Sequence, residues 1–369
     1  MIGWEDFYKV VVAMVPLYVP LVLGYGSVKW WHMFTPEQCD AINLFASYFI
    51  IPLFNFEFTS HVNPFKMNYL FIAADVISKS LVLLALALWA NCSGHGTYSW
   101  SITSFSLSTI NNTLVVGVPL MKAMYGQMGM DLVIQSSVMQ STLWLMVILF
   151  MLELRRTRIG FSTNKITRDS DDVHEESAGK DLEGSTNFVV RENPSFRLMM
   201  KIVWLKLAKN PNSYACILGL AWAFVSNRWH LKMPSIVEGS ILILSRAGAG
   251  ASMFSMGLFM ALQENIIACG ASLTMFGMIL RFVGAPATMA IGSFAVGLRG
   301  DVLSVSIIQA ALPQAVISFL FAKEYGLHAN VLSTVVIFGT IVSLPVLIAY
   351  YGTSFGMYIG GVQNIPVHD

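Results

Sequence analysis

The chain contains 369 residues, of which 55% are hydrophobic and only 12% charged, with a net charge of +1. Its mean hydropathy is +0.64, whereas soluble domains typically carry about 25% charged residues. This composition excludes an ordinary soluble domain. Because apolar runs of about 20 residues recur along most of the chain, it predicts a polytopic all-α membrane protein.

Ten apolar segments are predicted to span the bilayer, and a polar, charge-mixed segment separates the fifth from the sixth. In chain order the spans occupy 8–28, 38–58, 70–91, 100–123, 132–154, 208–227, 235–260, 270–293, 301–323 and 330–351. The predicted organisation is a first five-helix repeat, a short hydrophilic and mostly disordered loop, a second five-helix repeat and a C-terminal tail. These four parts cover 1–155, 156–204, 205–352 and 353–369.

The basic residues predict the orientation of these spans. Eleven of the 22 Lys and Arg residues lie between Arg155 and Lys209, and the positive-inside rule assigns such a loop to the cytoplasm. With five spans on either side, both termini are expected to face the outside or a lumen. An odd number of spans per half gives the two halves opposite orientation, which is the inverted-repeat architecture of secondary transporters.

The fourth and ninth spans carry matching polar interruptions, in "LSTINNTLVVGVPLMKAMYG" (107–126) and "AALPQAVISFLFAKEYG" (310–326). Pro313 lacks a backbone donor and should break its helix, and Asn111 and Asn112 leave helical geometry readily. Freed backbone at membrane depth must face protein or a wet cavity, where Gln314 and the pair Asn111 and Asn112 are able to bond a ligand or the freed backbone groups. Two facing broken helices would aim positive half-helix N-termini at one point, which suits an anionic substrate. The alternative is that the amides only hold helices together.

The third span carries an acid and a base four residues apart, Asp75 and Lys79. This spacing puts both on one helix face, and pairing reduces the cost of burying them. The functional interpretation is a carboxylate whose protonation or pairing changes between transport states, and the alternative is a static ion pair that braces the bundle. The corresponding eighth span offers Arg281 without an acidic partner.

Other amides at membrane depth are candidates for lining a cavity, namely Asn55 and Gln140, whereas Asn212 is either an N-cap or a cavity amide. The chain has no P-loop, HExxH, GxSxG or RNA-binding signature, and its four cysteines lack metal-ligand spacing. We therefore expect no enzymatic activity, no cofactor, no metal ion and no nucleic-acid partner.

Several segments carry a recognisable pattern, namely "MVPLYVPLVLGYGSVKWW", "PEQCDAIN", "NTLVVGVPL", "IIQAALPQ", "FAKEYGLH" and "LSTVVIFGTIVSLPVLIAYY". These segments resemble the PIN-FORMED auxin efflux carriers of plants. The resemblance covers both membrane halves, and the short loop resembles that of the subgroup usually found on the endoplasmic reticulum. It implies a carrier of auxin (indole-3-acetic acid) with crossed, broken helices four and nine, in a fold related to bile-acid symporters and sodium/proton antiporters. It also implies an elevator-like homodimer that works without ATP.

The resemblance also implies roles for individual residues. Asn112 and Asn212 match substrate contacts of the family. Other cavity positions are matched by Ile51, Asn55 and Gln140, and the support-site pair is matched by Asp75 and Lys79.

The sequence departs from the family pattern at several positions. Asn111 and Ser318 stand where prolines are usual, and Arg246 stands where most members have an aspartate. Asn55 and Leu145 also differ from pocket residues of other members. These departures affect expectations of substrate affinity and rate rather than of the fold.

The predicted function is transport of the auxin anion between the cytosol and the endoplasmic reticulum lumen, contributing to intracellular auxin homeostasis. The plasma membrane is the alternative location. Two other functions remain open: a carrier of another organic anion, or a transport-dead membrane sensor or partner protein.

Overall fold

The structure, a computed structural model, describes most of the membrane region. The described residues are 4–93, 97–156, 210–263 and 267–362, with positions 197, 200–201, 204–205 and 209. Apart from one isolated β-bridge, the regular elements of this part of the chain are helical. Most of the predicted loop at 156–204 and the end of the predicted tail lie outside the described residues.

Most helices overlap predicted spans, but the fourth and ninth predicted spans are each interrupted, and one helix continues from the fourth into the fifth with a kink at Gly126. In chain order they are α1 (Trp4–Lys29), α2 (Pro36–Ser60), α3 (Tyr69–Cys92), α4 (Tyr98–Thr109), α5 (Thr113–Arg156), α6 (Pro211–Trp229), α7 (Ser235–Leu262), α8 (Ala271–Ala295), α9 (Gly300–Ala310), α10 (Val316–Glu324) and α11 (Ala329–Val362). Seven helices of the described residues are long and apolar enough to cross a membrane: α1, α2, α3, α5, α7, α8 and α11. The protein is therefore a multi-pass membrane protein.

Short polar side chains fix where several helices begin. The Asn68 side chain accepts a hydrogen bond from the backbone of α3, and Asn210 does the same for the Asn212 amide at the start of α6. Such N-caps satisfy amides that have no partner within the helix. Because Asn210 is the cap of α6, the alternative that Asn212 is the N-cap is wrong.

Glycines allow α1 and the second half of α7 to approach closely. A Cβ atom on Gly24 would lie 2.2 Å from the Phe254 carbonyl oxygen, and one on Gly257 would lie 2.1 Å from the Leu21 carbonyl oxygen. Small residues drive association in hydrocarbon because they let backbones touch. Elsewhere α2 packs against α6 and the first half of α7, whereas α3 packs against α8.

We expect Gly257→Ala to destabilise the protein by about 1–3 kcal/mol, because the added methyl group forces α1 and α7 apart. The measurement is the thermal unfolding midpoint of the purified protein in detergent. Gly250→Ala is the matched control in α7, since a Cβ atom there meets nothing within 4 Å. Equal midpoints for the two variants would contradict the packing argument.

The ends of α4, α5, α10 and α11 meet around Arg155 and His328. Arg155 Nε donates to Ser99 Oγ at 2.8 Å. The His328 ring stacks on Trp100 with centroids 4.0 Å apart, and its Nδ1 lies 2.8 Å from Thr103 Oγ1. Burial, and then the Arg155 charge, lowers the pKa of His328. The folded state therefore favours the neutral imidazole.

This shift predicts a loss of stability in acid. Because its folded-state pKa is lowered, His328 binds a proton more tightly in the unfolded chain than in the folded protein. The stability that its neutral ring contributes is therefore complete above the unfolded pKa of about 6.5. This stability is lost as the pH falls from there toward the folded pKa. We expect the wild-type melting temperature to fall more between pH 7 and pH 5 than that of His328→Gln. His230→Gln is the control, since His230 is exposed and, like His328 (33°), has a positive φ (53°); it should retain the wild-type pH dependence.

Candidate functional site

Two non-helical segments meet in the middle of the bundle. One, residues 110–112, separates α4 from α5, and the other, residues 311–315, separates α9 from α10. They run antiparallel and form a single β-bridge between Asn111 and Gln314. We call this pair of segments the crossing.

Backbone hydrogen bonds join the two segments of the crossing. The Asn112 amide donates to the Pro313 carbonyl oxygen at 2.9 Å, and the Ala315 amide donates to the Ile110 carbonyl oxygen at 3.4 Å. These bonds replace part of what each interrupted helix loses. The fourth span is thus interrupted although Asn111 stands where a proline is usual in the resembled family.

Asn111 is held by its backbone and by its side chain. Gln140 Oε1 accepts from the Asn111 amide at 2.9 Å, and Gln140 Nε2 donates to the Asn111 carbonyl oxygen at 2.7 Å. The Asn111 side chain donates from Nδ2 to the Gln309 carbonyl oxygen at 2.7 Å and accepts at Oδ1 from Arg281. These partners fix a non-helical conformation that a proline ring would otherwise impose.

Arg281, on α8, has no exposed surface and contacts the C-terminal ends of both interrupted helices. It donates to the carbonyl oxygens of Leu107 at 3.0 Å, Ala310 at 3.0 Å and Leu312 at 2.7 Å. Carbonyls at helix C-termini lack intrahelical partners and carry partial negative charge. The planar guanidinium, with five donors, therefore satisfies groups that would otherwise be unpaired in hydrocarbon.

The predicted acid and base of the third span lie beside the crossing and are both buried. Lys79 Nζ is 2.8 Å from Asp75 Oδ1. Trp144 Nε1 donates to Asp75 Oδ2 at 2.8 Å, and the Lys79 ammonium lies 5.4 Å from the centroid of the same ring. Trp144 therefore contacts both charges and fixes the position of the pair.

A small polar cavity separates this ion pair from the crossing. Its volume is about 10 Å³, and its lining includes Asp75, Lys79, Asn111, Thr288 and Gln309. The Gln309 Oε1 atom is buried and has no hydrogen-bond partner within the described residues. A space of this size holds roughly one water molecule, and it is too small for an indole carboxylate.

Asn112 and Gln314 differ in how far their side chains are engaged. The Asn112 side chain is half-buried and makes no hydrogen bond among the described residues. Gln314 Nε2 donates to the Ser106 carbonyl oxygen at 2.9 Å and to Ser318 Oγ at 2.6 Å, whereas its buried Oε1 has no partner among the described residues. Asn112 therefore offers a complete amide to a ligand, and Gln314 offers one acceptor.

The remaining predicted residues lie on α2 and α6. Asn55 donates to the Asn212 side chain, and Ile51 is half-buried one turn before Asn55. This pair is joined to the crossing through α5, because Ser141, next to Gln140, donates to Cys216 Sγ, one turn beyond Asn212, at 3.1 Å. In this conformation both polar side-chain atoms of Gln140, and the Asn55 Nδ2 and Asn212 Oδ1 atoms, are bonded within the protein.

Sequence reasoning missed the contacts of Arg281, Trp144 and Gln309. A lone cation in an apolar span is itself a signal of function, and it identifies Arg281 as a residue of interest without identifying its partners. Trp144 and Gln309 carried no comparable signal, because aromatic and amide residues are common near helix interfaces.

Comparison with known proteins identifies the family. The model of the membrane transport protein family matches residues 9–351. Auxin efflux carrier component 5 of Arabidopsis thaliana is 63% identical over 352 residues, covering 95% of this chain and 98% of the relative. The chain belongs to the auxin efflux carriers. The resemblance noted in the sequence is thereby confirmed, and so is the expectation of a transporter rather than an enzyme.

Further relatives distinguish short and long forms of the family. The probable auxin efflux carrier component 5a of Oryza sativa subsp. japonica is 54% identical over 356 residues. The alignment with the probable component 1c of the same species extends over 587 residues at 32% identity, although it still covers 95% of this chain. This carrier therefore shares the short form with component 5.

We expect Gln140→Leu to destabilise the carrier, because it leaves the buried Asn111 amide and carbonyl without partners, at about 1–3 kcal/mol for each group. Unfolding of the purified protein, by temperature or denaturant, measures the effect. Gln127→Leu is the control, since the Gln127 side chain bonds only Asp131 among the described residues, in an exposed position, and should change stability by about 0.5 kcal/mol or less. A Gln140→Leu protein as stable as the control would show that the crossing does not need these two bonds.

Proposed function

We propose that this carrier transports the auxin anion, indole-3-acetate, by secondary transport across the endoplasmic reticulum membrane. The observation that carries the proposal is the match to auxin efflux carriers over almost the entire chain, at 63% identity in one case. The interrupted helices at the centre of the bundle support it, because they supply polar groups where an organic anion must pass.

The crossing supplies the proposed contacts for the carboxylate. The positive N-terminal ends of α5 and α10 begin beside the paired segments, and helix N-termini bind anions. Asn112 precedes α5 and has an uncommitted amide, so we assign it as the main substrate contact, with Gln314 Oε1 beside it able to receive an indole N–H. Apolar and aromatic side chains would surround the indole ring.

Four other residues complete the proposed substrate path, and two form a support site. The path residues are Asn55 and Asn212 on facing helices, Ile51 near them, and Gln140 against the crossing. We propose that the Asn55–Asn212 bond and the Gln140 bonds rearrange when substrate enters. Asp75 and Lys79 form the support site, and the interruption residues Asn111 and Pro313 keep both helices open.

We propose that the helices form ten spans in two inverted five-span repeats. The first five are α1, α2, α3, α4 with the first half of α5, and the second half of α5; the others are α6, α7, α8, α9 with α10, and α11. Support comes from two matching glycines, Gly126 and Gly326, which end the fourth and ninth spans with φ of 64° and 61°. The loop between the repeats would then be cytoplasmic and both termini lumenal.

An elevator-type movement is the mechanism we propose, within a homodimer. Support comes from the packing, in which α1 lies against α7 and α2 against α6 and α7, whereas α3 and α4 lie against α8. Helices α1, α2, α6 and α7 would form a static frame. Helices α3, α4 and α8 would carry the crossing across the membrane.

The proposed driving force is the membrane potential, since moving one charge through 100 mV is worth about 2.3 kcal/mol. Proton coupling through Asp75 is the alternative mechanism. Flux of radiolabelled indole-3-acetate into proteoliposomes, at several pH values and imposed potentials, separates the two. Potential-dependent flux that ignores a pH gradient supports the uniport, and no flux above that of empty vesicles would overturn the carrier function in favour of a sensor or partner role.

Competition and imaging test the remaining parts of the proposal. If the carrier moves a different organic anion, unlabelled indole-3-acetate will fail to compete with that anion. The short form of the chain, which resembles the subgroup usually found on the endoplasmic reticulum, supports a role in intracellular auxin homeostasis. A fluorescent fusion confined to the plasma membrane would contradict that location.

We expect Asn112→Ala to abolish saturable indole-3-acetate flux, because it removes the uncommitted amide beside the N-terminus of α5. The readout is flux in proteoliposomes, with monodispersity and thermal stability measured on the same preparation. Asn91→Ala is the control: the Asn91 side chain is exposed at the end of α3 and bonds the Ala87 carbonyl oxygen, so flux should match the wild type. Unchanged flux in a folded Asn112→Ala protein would remove this residue from the site.

A further inference from the structure

The charges around the crossing do not cancel. Asp75 and Lys79 neutralise each other at 2.8 Å, whereas no carboxylate pairs with Arg281 within the described residues. With each group in its usual ionised form, the buried region around the crossing therefore carries one net positive charge, located on α8.

This charge is bonded to the residues that flank the proposed carboxylate site. Arg281 donates to Asn111, the neighbour of Asn112, and to Leu312, the neighbour of Pro313. The Asn112 amide and the Pro313 carbonyl oxygen are themselves hydrogen-bonded at 2.9 Å. The guanidinium therefore bonds the residue next to Asn112 on one segment, and on the other it bonds the residue next to Pro313, the hydrogen-bond partner of Asn112.

The four half-helix ends at the crossing have opposite polarity, and Arg281 acts on two of them. The C-terminal ends of α4 and α9 expose carbonyl oxygens that would repel a carboxylate. Arg281 donates to Leu107 and Ala310 at these two ends, at 3.0 Å each. Once these ends are compensated, the positive N-terminal ends of α5 and α10 dominate the field at the crossing.

We infer that Arg281 determines the specificity of this carrier for anions over neutral molecules of the same shape. It acts as a positioning residue through charge and through the helix ends, not by touching the substrate. The inference rests on the proposed function, because it assumes that the carboxylate is received at the crossing.

The test compares dissociation constants for indole-3-acetate and its neutral analogue indole-3-acetamide in the purified full-length carrier. Arg281→Gln keeps hydrogen-bond donors but removes the charge. Arg281→Lys keeps the charge but loses the planar set of guanidinium donors. We expect Arg281→Gln to reduce the preference for the anion by about tenfold or more. The reason is that one buried charge, bonded to the residue next to Asn112, interacts strongly with a nearby carboxylate. Arg281→Lys should retain most of the preference, even if both ligands bind more weakly.

Arg155→Gln is the matched control, because Arg155 also donates to carbonyl oxygens, those of Tyr325 and Gly326, but at the end of the bundle. It should leave the ratio of the two dissociation constants unchanged. A purely structural role of Arg281 would weaken both ligands equally, and an unchanged ratio in folded Arg281→Gln overturns the inference.

A second variant keeps the inference testable if Arg281→Gln does not fold. Asp75→Asn leaves Lys79 and Arg281 both unpaired, so the net charge rises and the preference for the anion should increase. A folded Asp75→Asn protein with the wild-type ratio also overturns the inference. If the wild-type carrier binds neither indole, the proposed function fails instead, and the two failures are thereby distinguished.

Discussion

An interrupted helix in a bilayer exposes backbone donors and acceptors where no water can satisfy them. Here the guanidinium of Arg281 bonds the carbonyl ends of α4 and α9, while the two interruptions bond each other and Gln140 bonds the Asn111 backbone. Without these contacts the freed backbone groups would be left without partners in the interior of the membrane. The crossing therefore depends on one buried side chain from α8, together with Gln140 and the bonds between the two segments.

The same contacts give the crossing its polarity. Two helix ends with negative partial charge are covered by a cation, whereas the two positive ends begin next to Asn112 and Gln314. The buried Asp75–Lys79 pair, fixed by Trp144, adds two charges that cancel. This arrangement combines a stable backbone with the polarity that we propose attracts the carboxylate of the substrate.

Much of this arrangement could be predicted from local sequence, and the rest could not because it depends on distant residues. Apolar length gave the positions of most helices, and the i, i+4 spacing of Asp75 and Lys79 put them on one face. Proline chemistry predicted an interruption at Pro313. By contrast, Arg281 and Asn111 are 170 positions apart, and no periodicity links them. The sequence does not tell which asparagine caps α6, because both Asn210 and Asn212 are residues that suit a helix start. The backbone geometry of the folded chain makes Asn210 the N-cap.

The small cavity between the ion pair and the crossing has a consequence for what can pass between them. A space of about 10 Å³ has room for roughly one water molecule and not for a continuous file of water. The helices that line this space must therefore move apart before a hydrated ion or an organic anion can pass there.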